Sequence, residues 1–172
     1  MQRVHENQLK NRMKEATNKT NVMRALDKAG IDYTPMTYEV DEDNLAGTHI
    51  AEEIGLPAEI VFKTLVARGD KKGICVFCIP APDELDLKAA ARLTENKKLE
   101  LVPVKELLGL VGYIRGACSP IGMKKKFPTF IDETCILHEK ITISAGIRGI
   151  QLLLDPNDLI AVTDAVCAAL TV

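Results

Sequence analysis

Apolar residues recur at intervals of three and four in "TNVMRALDKAGI", where Val22, Met23, Leu26 and Ala29 fall on one helical face. Thr20 supplies a capping hydroxyl and Gly30 a stop, so the pattern predicts a first helix. The period then changes to two. In "YTPMTYEVD" Met36, Tyr38 and Val40 share one strand face, and Pro35, which cannot donate to a ladder, places that strand at an edge. "THIAEEIGL" reads as a short helix ended by Gly55, and "EIVFKTLVAR" and "GICVFCIP" as a hairpin of apolar strands around "GDKKG". "PDELDLKAAARL" predicts a helix capped by Asp83 or Asp86, "KKLELVPV" a short strand, and "VKELLGLV" another helix. "TFIDE", "ITISAG" and "GIQLLL" read as strands. "DPNDLIAVTDAVCAAL" predicts a closing helix with Asp155 as cap and Pro156 in its first turn, its apolar stripe including Cys167. Runs of strands interrupted by helices, without an internal repeat, predict an α/β fold built on a mixed sheet or barrel more than on a strict βαβ alternation.

Residues 1–16 carry charge but no clear apolar stripe and are expected to be an extension, leaving 17–172 as a single domain. At 172 residues and 47% hydrophobic content, one well-filled core is the expectation. The 22 Lys and Arg against 24 Asp and Glu give a net charge of −2, so no general basic field holds a polyanion, and nucleic-acid contacts must be local or assisted. The apolar runs are too short to span a bilayer and the polar start lacks a signal-peptide core, which points to a cytoplasmic protein without a membrane partner.

Five cysteines, odd in number and irregularly spaced, suggest reduced thiols. Cys75 and Cys78 form C-x-x-C within a strand, where residues three apart face opposite sides, so the pair suits neither zinc nor a redox dithiol. His5, His49 and His138 have no ligand spacing, and neither metal nor cofactor is expected.

One residue breaks the strand pattern. In "VFKTLVA" Lys63 occupies an apolar row with Val61, Leu65 and Ala67. A lysine taken from water must pair with an anion, lower its pKa, or open into a cleft where a ligand brings the counter-charge. An edge lysine that snorkels to solvent is the plainer alternative. Two glycine-containing loops favour a cleft. "RGACSPIG" contains Gly116, Ala117, Ser119, Pro120, Ile121 and Gly122, small enough in part for close backbone approach and offering N–H donors to an oxyanion or carbonyl. "SAGIRG" offers Ser144, Gly146, Arg148 and Gly149 for the same chemistry. Cys118, in the first loop, is a nucleophile or a lining residue; no histidine stands in a recognisable partner position, which favours lining. Lys124 to Lys126 form a solvated face or steer phosphates.

"VFKTL", "GYIRGACSPIGMKKKFPTFID" and "ISAGIRGIQ", in that order, resemble the YbaK family of Cys-tRNA(Pro) deacylases, over about Thr20 to Leu170. The resemblance implies a mixed-sheet barrel shared with the editing domain inserted into bacterial prolyl-tRNA synthetases, and an enzyme that cleaves the ester of mischarged Cys-tRNA(Pro), with Cys-tRNA(Cys) a further candidate. Such a second site is needed where a synthetase pocket separates two side chains mainly by volume. Carried over by motif, Lys63 is the pivotal residue and Gly116, Ala117 and Ser119 belong to the reacting loop. Tyr38, Thr64, Cys118, Pro120, Ile121, Gly122, Ser144, Gly146, Arg148 and Gly149 match pocket positions.

The chain departs from the family where Ala117 and Ala145 replace common glycines, and where Gln151 stands in place of an aspartate found in some relatives. The family mechanism uses the substrate's own thiol to attack its acyl carbonyl, so no enzymic nucleophile is required. Mischarged tRNA and prolyl-tRNA synthetase are the implied partners. Alternatives are a deacylase for another small residue such as alanine, which would need an activated water, and a non-catalytic module that binds aminoacyl-tRNA ends.

Overall fold

The computed structural model describes residues 18–172. The expected extension, 1–16, lies outside the described residues. Helix α1 (Asn21–Lys28) begins where Thr20 accepts a hydrogen bond from the Met23 amide, and it buries Val22, Met23 and Leu26. Strand β1 (Tyr33–Thr37) follows, with Pro35 at a sheet edge. Helix α2 (Gly47–Ile54) stops at Gly55, whose φ of 72° is left-handed. A 3₁₀ turn leads to the hairpin of β2 (Phe62–Gly69) and β3 (Gly73–Pro80).

Asp86 rather than Asp83 caps α3 (Leu87–Leu93), accepting from the Ala89 amide. Then come β4 (Leu99–Leu101), α4 (Val104–Val111), β5 (Thr129–Asp132), β6 (Ile141–Ser144) and β7 (Ile150–Leu154). The chain ends with α5 (Pro156–Thr163), capped by Asp155, and β8 (Val166–Ala168).

That ending corrects the sequence reading. Asp164 takes a left-handed φ of 52°, and the Ala165 amide closes onto the Ile160 carbonyl, so the helix stops at Thr163, short of the expected end at Leu170. The following residues pair in parallel with β5, Cys167 opposite Ile131, and Cys167 is exposed on a strand instead of packed in a helical stripe.

The strands form two sheets, β1-β7-β6 and β4-β2-β3-β5-β8. They meet through a parallel bridge between Val61 and Thr142, and the barrel is not closed. One core lies between α1 and the smaller sheet, with Leu26, Phe62, Ile143 and Leu152 among its members. A second, holding Phe77 stacked on Phe130 at 5.4 Å, lies on the other face of the larger sheet under α3. Cys75 belongs to the second core and Cys78 to the first, as the two-residue period of a strand requires.

Candidate active site

Strand β4 pairs with β2 only at Ala67, Arg68 and Gly69, and the Val61–Thr142 bridge marks the opposite end. Between these points β2 has no strand neighbour on that side. A cavity of about 460 Å³ opens along the gap, large enough for a small ligand. Because it meets an edge and not a face of β2, consecutive residues Phe62, Lys63, Thr64 and Leu65 all line it. Ser144 and Gln151 line it from the smaller sheet, Leu101, Val104 and Leu107 from the β4–α4 side, and Arg115, Gly116 and Cys118 from the first glycine loop.

Lys63 is half-buried, and its Nζ donates to the Ala81 carbonyl at 3.0 Å. Burial lowers its pKa, against the opposing pull of Asp83 and Glu84, so the ammonium is held at the wall of the cavity with incomplete compensation. The amino end of α2 supplies a second positive pole. Its N-cap, Ala46, has no side chain to accept from the first turn, and Gly47 and Thr48 line the cavity. Gly47 is required here: a Cβ at this position would lie 2.7 Å from the Ala81 Cβ. Ala81 in turn donates its amide to the Val61 carbonyl at 2.7 Å, tying the end of β3 back to the start of β2.

The two glycine loops are stitched together. Ser144 Oγ donates to the Ala117 carbonyl at 2.9 Å and accepts from the Gly146 amide at 3.1 Å, while Arg148 Nε donates to the Arg115 carbonyl at 2.9 Å. Tyr113 is the wedge between them: its hydroxyl donates to the Ile121 carbonyl, and added Cβ atoms at Gly122 and Gly146 would press on its ring or hydroxyl at 2.8 and 3.0 Å. Both glycines also have positive φ, which a side chain would strain.

Of the residues singled out by sequence, Lys63, Thr64, Gly116, Cys118 and Ser144 therefore come together at the cavity. Ala117 is buried and its amide donates to the Ile114 carbonyl, so it is engaged within the turn. Ser119, wholly buried, accepts from the Ile121 amide, and Ile121 packs into the first core. Pro120 and Gly122 continue the same loop outside the lining. Tyr38 is also outside it, its amide donating to the Gly149 carbonyl, and Gly149 sits against Val40.

Sequence reasoning missed the amino end of α2 and Arg115. An uncapped helix beginning with glycine was the available signal, but its placement over β2 depends on the tertiary fold. Burial pushes the Cys118 thiol up to about 12, which keeps it protonated at neutral pH. The lining contains no aspartate, glutamate or histidine, and no cluster of potential metal ligands occurs among the described residues. What remains is a donor-rich, partly apolar hollow with positive poles and no resident base.

Such a pocket, at the junction of an antiparallel and a mixed sheet, suits a small group that carries or develops negative charge. The chain belongs to the aminoacyl-tRNA editing domain family, whose model matches residues 47–162. It is 41% identical, over 158 residues, to an Enterococcus faecalis protein with the provisional name Cys-tRNA(Pro)/Cys-tRNA(Cys) deacylase EbsC, covering 92% of this chain and 96% of that one. The fold resembles a solved structure described provisionally as a trans-editing enzyme for prolyl tRNA synthetase, with TM-score 0.76 and 23% identity over 90% of this chain and 99% of that one. It also resembles a hypothetical protein, APE2540, with TM-score 0.81 and 19% identity over 89% of this chain and 100% of the other.

Proposed function

We propose that this protein is a trans-editing deacylase for Cys-tRNA(Pro), with Cys-tRNA(Cys) as a further substrate, and that residues 17–172 act as one editing domain. The observation that carries this reading is a cavity holding hydrogen-bond donors and a cation but no carboxylate, imidazole or ionised thiol in its lining. A site built this way has no carboxylate or imidazole to activate water, and no base beside its hydroxyls or its protonated thiol to make them attack an ester. A cysteinyl ester brings its own nucleophile.

In the reaction, the substrate sulfur attacks the acyl carbonyl carbon and the C–S bond forms. The ester C–O bond to the terminal ribose breaks, the ribose oxygen takes the proton that the thiol gave up, and a cyclic thiolactone leaves to be hydrolysed by water. Lys63 holds the terminal nucleotide's phosphate or sugar, and the amino end of α2 with the unengaged loop amides stabilises the oxyanion as it develops. Prolyl-tRNA synthetase, which releases the mischarged tRNA, is the partner that delivers it.

Single-turnover cleavage of Cys-tRNA(Pro) tests the reading. Lys63→Ala should lower the rate by about 100-fold or more, while Cys118→Ala keeps most of it. Ala-tRNA(Pro) should resist cleavage. Rapid cleavage of the alanyl ester, or full loss of activity with Cys118→Ala, would overturn substrate-thiol chemistry.

A further inference from the structure

Gln151 has a polar arm without a protein partner. The residue is 4% exposed, lies on β7 and lines the cavity. Its Oε1 accepts from Thr142 Oγ at 3.1 Å. The Thr142 hydroxyl is itself wholly buried and has no other side-chain or backbone acceptor among the described residues, so its donation fixes which way the amide faces. With the carbonyl end pinned, Nε2 carries two donors that bond to nothing among the described residues and open to the cavity. Ser144, opposite Gln151 in the register and equally buried, differs because its hydroxyl is already saturated by Ala117 and Gly146.

Depth then decides what this amide meets. A tRNA cannot enter a hollow of about 460 Å³, so the acyl group leads and the ribose stays towards the mouth. The free Nε2 donor, on the wall that the smaller sheet provides, faces the leading end of the ligand, which in a cysteinyl ester is sulfur. The burial that keeps the Cys118 thiol protonated in this cavity also opposes ionisation of that sulfur, so a donated hydrogen bond is what would favour its thiolate.

We propose that Gln151 reads the substrate's side chain, its Nε2 donating to the cysteine sulfur and favouring the thiolate that attacks the ester. This rests on the deacylase reading given above. Alanine offers no acceptor to this amide, so the same contact contributes to selection between the two esters.

Gln151→Met keeps the length of the side chain and removes both donors. Two measurements read the result. In single-turnover cleavage of Cys-tRNA(Pro) across pH, the midpoint for thiol ionisation should move up by about one pH unit in the variant. Independently, an amide-linked cysteinyl-adenosine, which cannot be cleaved as an ester, is bound to each protein and its thiolate followed by ultraviolet absorbance. Its sulfur should titrate lower in the native protein than in Gln151→Met by a similar margin.

Where the single variant fails to fold, judged by circular dichroism, the Thr142→Val, Gln151→Met pair removes the orphaned hydroxyl as well. Equal titration midpoints in native and variant proteins overturn the role of Gln151 while leaving deacylation intact. A native protein that fails to cleave Cys-tRNA(Pro) overturns the deacylase reading instead, and the bound-thiol titration then judges Gln151 alone. A probe that does not bind overturns the inference.

Discussion

At the residue scale, the contrast between Lys63 and Cys118 governs the chemistry. Both line the same hollow, yet burial moves their acid–base equilibria in opposite directions, lowering the ammonium's pKa and raising the thiol's. A free cysteine ionises at about pH 8.5; Cys118 resists until about 12. The native state therefore holds its proton where the unfolded chain has lost it, and the stability this group contributes is present below about pH 8.5 and declines as pH rises towards its native value. Alkylation with iodoacetamide should follow suit. Between about pH 7 and 9 Cys118 should stay slow, as peptide mapping of the labelled native protein would show. Fast labelling of Cys118 would mean an ionised thiol in the pocket.

Elements were legible in proportion to how far local pattern decided them. The capped starts of α1 and α5, the left-handed glycine after α2 and the β2–β3 hairpin all follow from sequence signals that the folded chain obeys. Lys63 stood out because its row was otherwise apolar. The segment after Asp164 was misread because "AVCAAL" suits a helix as well as a strand, and pairing with β5 chose the strand. Nor could spacing show that α2 points its amino end over the edge of β2, since these elements come together through tertiary contacts, those of Gly47 and Ala51 with Ala81 and Val61 among them.

A tertiary contact likewise anchors the hairpin turn. Asn96 Oδ1 accepts from the Lys71 and Lys72 amides at 3.0 and 2.8 Å, and its Nδ2 donates to Thr94 Oγ. Asn96→Ala should destabilise the protein by about 2–3 kcal/mol, the order expected when several partly buried groups lose their partner. Urea unfolding gives the value, and a loss below a few tenths would show that water replaces the amide.

Taken whole, the molecule has little to hold tRNA with. Its net charge is −2, and the lysine triplet that looked like a phosphate contact is mostly engaged: Lys124 donates to the Gly109 carbonyl and Lys126 pairs with Asp164. Lys125 has no hydrogen bond or ion pair among the described residues, and Arg115 stands at the cavity itself. Counting Lys63 with these two, contact with about three phosphates should make the affinity for tRNA fall with salt at a logarithmic slope of only about −2 to −3. Delivery by the synthetase would offset that weakness. Size-exclusion runs at micromolar concentration should show a complex of this protein, prolyl-tRNA synthetase and tRNA(Pro), and three separate peaks would count against the partnership.

Ala81 gives this arrangement its scale. The residue accepts the ammonium of Lys63 through its carbonyl, is bonded to Val61 through its amide, and bears against Gly47 with its methyl group. The distance separating the cavity's cation from the helix's electropositive tip is thus gauged by one methyl-bearing residue of the connecting chain. Evolution could retune that interval by altering a position whose side chain is turned to packing, leaving every reactive group unchanged.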